Sequence, residues 1–349
     1  MSRLKRRSFL RLLGAAGASV PAGACSATGD GAAPYPISDH FDGTRFFNVH
    51  ARNDKSLGDV LRWRMTREAV PWPERVENAA HAAPTRVGEG RVAATFIGHA
   101  CFLVQVGGVS VLTDPVYSER ASPVGFAGPR RVRHPGQPLD ALPGVDLLLV
   151  SHNHYDHLDL ATLEAVRARW APPTVTGLGN AALLSAAGLD RTTELDWWQS
   201  VEVAGARVTY VPAQHFSARG LFDRDRALWG GFVVEAGGSA VYFAGDSGYC
   251  PHFSEIGHRF PRLDLALLPI GAYEPRWFMK VQHMDPYDAV QAHLDLGARR
   301  SLGMHFGTFR DLTDEAIDAP VRALGTALSA RGIDPRGFST LDFGETRVF

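Results

Sequence analysis

From Arg91 onward the sequence repeats one pattern, in which short apolar runs end in polar turns. Runs such as "DLLLV", "VTYVP" and "VYFAG" have the length and composition of buried β-strands. The early runs follow one another as hairpins, whereas later ones alternate with amphipathic segments such as "LDLATLEAVRARW". This order predicts an α/β fold in which two sheets pack together with helices outside them, rather than one doubly wound sheet. We expect a four-layer αβ/βα sandwich of two mixed β-sheets with outer helices.

The ends of these runs share one chemistry. Four of the runs are followed within a few residues by a histidine or an aspartate, at His152, His215, Asp246 and His305. Strand ends are where a rigid scaffold presents side chains to a functional site. The pattern therefore indicates a site built from four separate strand ends.

The stretch "SHNHYDHLD" at residues 151–159 places three histidines and two aspartates in nine positions. His152 and His154 are two residues apart, so on an extended chain both rings point the same way. Asp156 and His157 lie on the turn beyond and can face a second point. Two imidazoles with a third, distant ring form a three-nitrogen zinc site. An aspartate between two divalent ions is common in two-metal hydrolases. A polar loop tip without metal is the alternative.

The motif His-x-His-x-Asp-His, present at residues 152–157, resembles the signature of the metallo-β-lactamase superfamily, and the later histidines and aspartate follow in the same order. The resemblance implies one ion held by His152, His154 and His215. It implies a second ion held by Asp156, His157 and His305, with Asp246 bridging both ions. The implied cofactors are two Zn²⁺ ions, and Asp156 and Asp246 take part in catalysis.

Longer blocks between Gly98 and Phe309, among them "GHACFLV", "PAQHFSARG" and "GAYEPRWFMK", resemble the N-acylphosphatidylethanolamine-hydrolysing phospholipase D family. That resemblance implies a zinc-dependent phosphodiesterase in which a metal-bridging hydroxide attacks the phosphorus of a phospholipid. It also places His283 near the substrate phosphate, as a donor to the leaving oxygen. Arg276, Trp277 and Lys280 are candidate contacts to an anionic headgroup. Their alternative interpretation is a packed aromatic loop with snorkelling cations.

The same residues are compatible with other functions. A lactonase or another phosphodiesterase can use the same dinuclear site, and an exported metal-binding or sensing protein is the non-enzymatic alternative. The completeness of the seven ligand positions favours an enzyme. A formal net charge of −1 gives no basic excess for nucleic-acid binding, and no "GxSxG" nucleophile motif is present. His99 and Asp114, at two further strand ends, are either partners of the ligands or parts of capped turns.

The N-terminus, "MSRLKRRSFLRLLGAAGASVPAGAC", has a basic start and an apolar stretch typical of an export signal. The pair Arg6-Arg7 resembles the twin-arginine type, and "AGAC" resembles a lipoprotein cleavage box with Cys25 as the lipid-bearing residue. Cleavage after Ala24 is the alternative. We expect a bacterial protein exported to the periplasm or cell envelope, where a lipid at Cys25 would hold it at a membrane surface.

The expected organisation is an export signal at 1–25, a flexible tether at 26–39, an N-terminal extension at 40–90 and a catalytic domain at 91–349. One helix is expected in the extension, near Leu57–Thr66. Cys101 and Cys250 lie in apolar surroundings, which predicts buried free thiols. The expected partners are a phospholipid or other small phosphodiester substrate. Self-association into a homodimer is left open.

Overall fold

The computed structural model describes residues 33–53 and 55–349. The strands, in chain order, are β1 (Val92–Gly98), β2 (Cys101–Val106), β3 (Val109–Thr113), β4 (Arg130–Arg131), β5 (Leu147–Val150), β6 (Thr174–Gly177), β7 (Thr192–Leu195), β8 (Ser200–Val203), β9 (Ala206–Val211), β10 (Gly231–Ala236), β11 (Ser239–Phe243), β12 (Leu265–Pro269), β13 (Ser301–Met304), β14 (Phe309–Arg310), β15 (Phe338–Ser339) and β16 (Thr346–Val348). The α-helices are α1 (Leu57–Thr66), α2 (Leu160–Trp170), α3 (Ala181–Ala186), α4 (His252–Arg259), α5 (Arg276–Met279), α6 (Pro286–Leu296) and α7 (Ala319–Arg331).

Two seven-stranded sheets form the centre of the molecule, in the orders β16-β1-β2-β3-β5-β6-β7 and β15-β13-β12-β11-β10-β9-β8. In each sheet the earlier strands pair antiparallel as hairpins and the later strands pair parallel, except that the last strand, β16, pairs antiparallel with β1. Parallel neighbours need a long crossover connection, which the intervening helices supply. The expected pair of mixed sheets is confirmed.

Side-chain alternation along the strands explains the layers. On β5, Leu147 and Leu149 belong to the large core that also contains residues of the other sheet. Leu148 and Val150, one position along, pack with Leu163 of α2 in a separate apolar cluster. Because successive strand side chains point to opposite faces, one strand serves both the sheet–sheet core and the outer helix layer. The four-layer prediction is therefore confirmed.

Helix α6 begins directly after the loop that carries His283, and its start is well defined. The Asp285 carboxylate accepts a hydrogen bond from the Asp288 amide at 2.9 Å, and the reciprocal bond completes a capping box. The helix ends at Gly297, whose φ of 61° is the left-handed conformation that glycine adopts easily. This helix packs against α4 and α7 on the outer side of the second sheet.

The residues that precede β1 contribute to the same compact unit, which spans Pro34–Phe349. The expected helix at Leu57–Thr66 is confirmed, and it begins with a capping box at Ser56. Phe41 and Phe46 are buried in the large core. In the part of the predicted tether that is described, the Tyr35 ring lies 5.7 Å from that of Phe41.

Two predictions about the chain as a whole can be compared with the fold. Cys101 and Cys250 are free and buried, as predicted. The predicted export signal and Cys25 lie outside the described residues. Within the described ranges, no helix has both the length and the apolar character required to cross a bilayer.

Candidate metal centre

Four strand ends from the two sheets meet at one point of the molecule. His152 follows β5 of the first sheet, whereas His215, Asp246 and His305 follow β9, β11 and β13 of the second sheet. All four side chains are buried. The sandwich therefore brings together residues separated by up to half of the chain, as the pattern of strand ends predicts.

Three imidazole rings form a first cluster. The Nδ1 atom of His154 lies 2.9 Å from Nε2 of His152 and 3.2 Å from Nε2 of His215. Their ligand atoms fall within 4.8 Å of one another, as a metal site requires. The spacing of two residues in the motif thus brings His152 and His154 to a common point.

Hydrogen bonds on the far sides of two rings define their tautomers. The Ser151 hydroxyl donates to the Asp114 carboxylate at 2.5 Å and lies 2.9 Å from His152 Nδ1, from which it accepts. The Gln282 carbonyl, which can only accept, lies 2.9 Å from His215 Nδ1. Each ring therefore directs the lone pair of Nε2 into the cluster. Two nitrogen lone pairs that converge in a buried space fit a cation.

A second cluster lies beside the first and contains carboxylates. The Asp246 Oδ2 atom is 3.1 Å from Nε2 of His157, 3.1 Å from Nε2 of His305 and 3.8 Å from Nε2 of His215. The Asp156 Oδ2 atom is 3.5 Å from His305 Nε2 and 3.8 Å from His157 Nε2. Asp246 thus faces ligands of both clusters, the position expected of a bridging carboxylate.

Several buried polar atoms of the second cluster have no hydrogen-bond partner among the described residues, namely His157 Nε2, His305 Nε2 and Asp246 Oδ1. A buried polar group without a partner costs free energy, so such atoms are rare unless a ligand satisfies them. The two imidazole nitrogens face the Asp246 carboxylate, at 3.1 Å from its Oδ2 atom. A divalent ion bound there would satisfy them, so the donor set fits a metal.

His99 and Asp114 contact the ligands directly, which decides between their two interpretations. The Asp114 carboxylate accepts from His157 Nδ1 at 2.7 Å and from the Ser151 amide at 2.7 Å. His99 Nε2 donates to Asp156 Oδ2 at 3.0 Å, and the His99 carbonyl accepts from the His305 amide at 2.8 Å. Partners of this kind orient a ligand and tune its basicity.

The charges of the centre suit a divalent cation. Burial lowers the pKa of His154 to about 4 and that of His215 to about 3, so both rings are neutral and able to coordinate. Burial opposes ionisation of Asp246, but His157 and His305 hold the pKa of its carboxyl well below the usual range. The same applies to Asp156, where His157 contributes most. Although burial opposes protonation, Asp246 raises the pKa of His305 to about 9 and that of His157 well above its ordinary value, so these two rings would lose a proton on binding an ion. The neutral rings of the first cluster and the ionised carboxylates of the second form a typical donor set for a divalent ion.

Among the candidate substrate contacts, His283 lies closest to the centre. Its Nδ1 atom is 4.0 Å from Asp246 Oδ2 and has no hydrogen-bond partner among the residues that the structure covers. The ring is buried and lies 5.1 Å from that of His215. The position allows this nitrogen to contact a group bound beside Asp246.

The other three candidates lie around α5. The Arg276 guanidinium donates to Asp288 Oδ2 at 2.6 Å and to the His283 carbonyl at 2.9 Å, so the side chain ties α5 to the start of α6. Trp277 and Lys280 are exposed. Arg276 is therefore engaged within the protein, whereas the other two side chains face solvent.

The sequence motifs did not reveal two groups that orient the histidine ligands. The Ser151 hydroxyl donates to Asp114 and accepts from His152, and the Gln282 carbonyl sets the tautomer of His215. The position of Ser151 beside the motif was a usable signal. A backbone carbonyl leaves no signal in the sequence, because every residue has one.

Comparison with known proteins agrees with this site. Residues 110–306 match the model of the beta-lactamase superfamily domain. The chain is 40% identical over 270 residues to N-acyl-phosphatidylethanolamine-hydrolyzing phospholipase D 1 of Caenorhabditis elegans, covering 74% of this chain and 76% of that protein. It is 35% identical over 293 residues to the mitochondrial N-acyl-phosphatidylethanolamine-hydrolyzing phospholipase D of Saccharomyces cerevisiae, covering 80% of this chain and 62% of that protein.

Among solved structures, the fold is similar to that of Igni18, a metallo hydrolase from the archaeon Ignicoccus hospitalis. The TM-score is 0.56 at 23% identity, and the match covers 74% of this chain and 98% of that one. This likeness concerns the fold. Together with the superfamily model and the clustered histidines and aspartates, it shows that the chain is a metallo-hydrolase that belongs to the beta-lactamase superfamily.

Proposed function

We propose that this hydrolase is a phosphodiesterase of the phospholipase D type, which cleaves N-acylphosphatidylethanolamine or a related phospholipid. The observation that carries the proposal is the 40% identity with the C. elegans enzyme, which extends over three quarters of that protein. The reaction hydrolyses the phosphate ester on the headgroup side, so that the alcohol leaves and the phosphate stays on the lipid.

We propose that the centre holds two zinc ions. His152, His154 and His215 would bind one ion, and Asp156, His157 and His305 would bind the other, with Asp246 between them. Such a pair, when bound, lowers the pKa of a water molecule and offsets charge on the phosphoryl oxygens. The distances of 3.1 Å from Asp246 Oδ2 to His157 and His305, and of 3.8 Å to His215, support a shared carboxylate.

The protein's own groups have distinct tasks in this proposal. Asp114 and His99 hold His157 and Asp156 in place through the hydrogen bonds described above. His283 donates a hydrogen bond from its free Nδ1 atom to the leaving oxygen. No side chain has to act as a nucleophile, because water is the attacking group.

We also propose that the enzyme meets its substrate at a bilayer surface. On α1, Leu61 and Met65 are 60% and 77% exposed. The Arg62 guanidinium lies 4.7 Å from the ring of Trp277, which is 44% exposed. Apolar side chains beside cations suit the boundary between acyl chains and phosphates. A lipid at Cys25 would keep this surface near the membrane of an exported protein.

The proposal is tested by comparing substrates with one preparation of zinc-loaded protein. N-acylphosphatidylethanolamine, phosphatidylethanolamine, bis(4-nitrophenyl) phosphate and a lactone are assayed side by side. We expect kcat/KM for the N-acylated lipid to exceed that for phosphatidylethanolamine by about tenfold or more, an advantage that about 1.4 kcal/mol of extra binding would give. Faster turnover of the lactone than of every phosphodiester would reject the proposal and favour a lactonase. Fewer than about one zinc per chain after zinc supplementation would reject the dinuclear site.

A further inference from the structure

We propose that Asn48 is a positioning residue for His215, and that the segment of residues 40–53 is therefore part of the metal centre. The Asn48 side chain pairs with both polar groups of the His215 backbone. Its Nδ2 atom donates to the His215 carbonyl at 2.8 Å, and its Oδ1 atom accepts from the His215 amide at 3.0 Å. The inference rests on the role of His215 as a metal ligand.

A third contact defines which way the Asn48 amide is turned. The indole Nε1 of Trp229, which can only donate, lies 3.2 Å from Asn48 Oδ1 and 3.0 Å from the Ala213 carbonyl. The atom that faces Trp229 must therefore be the oxygen. Because Trp229 has a second acceptor, loss of the Asn48 side chain leaves the indole satisfied. Only the His215 backbone would lose its partner.

His215 depends on this contact because it lies beyond the sheet. Strand β9 ends at Val211, so no ladder hydrogen bond holds the residue. Within residues 33–53 and 55–349, no backbone group bonds to the His215 amide or carbonyl. A backbone pair without partners is costly when it is buried. Asn48 thus supplies the two backbone hydrogen bonds that a neighbouring strand would otherwise supply.

A second asparagine of the same segment supports the other side of His215. Asn53 Nδ2 donates to the side-chain oxygen of Gln282 at 2.9 Å. The carbonyl of Gln282 accepts from His215 Nδ1. The segment therefore contacts the backbone of His215 through Asn48 and reaches its ring through Gln282.

The segment is anchored independently of Asn48. His40 Nε2 lies 2.7 Å from Asp196 Oδ1, and the ring of His40 stacks on that of Trp197 at 4.3 Å. The amide of Phe46 donates to the Asp225 carbonyl at 2.8 Å. Removal of the Asn48 side chain should leave these anchors in place, so that its effect is confined to His215.

The segment lies outside the part of the chain that matches the superfamily domain, residues 110–306. Together with His215 and Phe216 it also lines an open pocket of about 710 Å³. The functional unit of this hydrolase therefore extends upstream of its superfamily domain, to about residue 40.

The test compares Asn48→Ala, Asn48→Asp and a control, Arg45→Ala, in the full chain. Arg45 belongs to the same segment and donates to the Arg224 carbonyl, and among the described residues it forms no hydrogen bond with His215. Hydrogen exchange of metal-free protein reports on the His215 amide. We expect Asn48→Ala to accelerate its exchange about fivefold, the effect of one net hydrogen bond. Asn48→Asp keeps the acceptor of the His215 amide but places a carboxylate oxygen against the His215 carbonyl, so the amide should exchange more slowly than in Asn48→Ala while the carbonyl loses its donor.

Cobalt affinity, measured by competition with a chelator, is the second readout. We expect Asn48→Ala to weaken binding of one of two ions about tenfold or more, as loss of a ligand's partner does. The inference would be overturned if Arg45→Ala changed exchange and affinity as much as Asn48→Ala does. It would also be overturned if Asn48→Ala changed neither quantity. A wild-type chain that binds no cobalt would overturn the metal centre, while the exchange result still decides the Asn48 contact. If Asn48→Ala does not fold, Asn48→Asp carries the same comparison.

Discussion

Asp246 lies between the two clusters, so its charge should matter more to catalysis than to folding. Asp246→Asn keeps the shape of the side chain but removes the charge that faces His157 and His305 at 3.1 Å. We expect kcat/KM to fall by about 10³-fold or more, because a neutral amide is a poor bridging ligand. Far-ultraviolet circular dichroism should remain that of the wild type.

The matched control for this substitution is Asp334→Asn. Asp334 is exposed and pairs with Arg336 at the surface, so this variant should retain wild-type activity. Unchanged activity of Asp246→Asn would exclude a mechanism that depends on a shared carboxylate.

Glu315 should make stability depend on pH. Its buried carboxyl accepts from the amides of Ala272 at 2.7 Å and Glu274 at 3.1 Å, yet burial raises its pKa to about 7 from an ordinary 4.5. Because the pKa of this carboxyl is higher in the folded chain than in the unfolded chain, its contribution to the free energy of unfolding is complete below pH 4.5. The contribution is lost as pH rises through 7.

The corresponding experiment follows urea unfolding of metal-free wild type and Glu315→Gln from pH 4.5 to 8. We expect the free energy of unfolding of the wild type to fall by about 3 kcal/mol relative to the variant over this range. Subtracting the free energy of unfolding of the variant from that of the wild type cancels the contributions of titrating groups that both proteins share. Parallel pH profiles would show that the pKa of Glu315 is not raised.

Helix α1 has an inner face that packs against the protein and an outer face that is exposed to solvent. The Trp63 ring stacks on that of Phe278 at 5.1 Å, and its indole donates to Asp314 at 3.0 Å. Leu61 and Met65 face solvent. Packing of the inner face holds the helix, so changes on the outer face should alter surface binding without unfolding it.

We expect the double variant Leu61→Ser/Met65→Ser to bind phospholipid vesicles about tenfold more weakly, because apolar area is no longer removed from water. Vesicle co-sedimentation measures this, with Cys25→Ser in every protein so that lipidation plays no part. Val321→Ser, an exposed position on α7, is the control. Hydrolysis of bis(4-nitrophenyl) phosphate should be equal in all proteins. Equal vesicle binding by the double variant and the control would contradict a lipid-facing α1.

At the scale of the whole molecule, the centre joins loops from both sheets. Without a cation, several of its buried polar atoms, among them His157 Nε2, His305 Nε2 and Asp246 Oδ1, have no hydrogen-bond partner among the described residues. An ion that binds only the folded chain stabilises it by mass action. We expect dialysis against a chelator to lower Tm by about 5 °C, and zinc to restore it.

His152→Ala provides the comparison for the chelator experiment. With one ligand missing, the same treatment should shift Tm by a smaller amount, because less metal is bound beforehand. Identical melting of chelated and zinc-loaded wild type would contradict a metal that links the two sheets.

Features that depend on near neighbours in the chain were predictable from the sequence. Short apolar runs predicted the strands, and amphipathic spacing predicted α2, because run length and spacing are properties of residues close together in the chain. The spacing within His152–His157 indicated two ligand directions for the same reason. The order of strand ends, together with family resemblance, supplied the later ligands.

The groups that orient those ligands became visible only in the folded molecule. Asp114 reaches His157 across 43 residues, and Asn48 reaches His215 across 167. These contacts arise where the two sheets and the preceding segment pack together, and packing between distant segments leaves no periodic trace in the chain. Short sequence motifs therefore identify the ligands, whereas contacts between distant segments orient them.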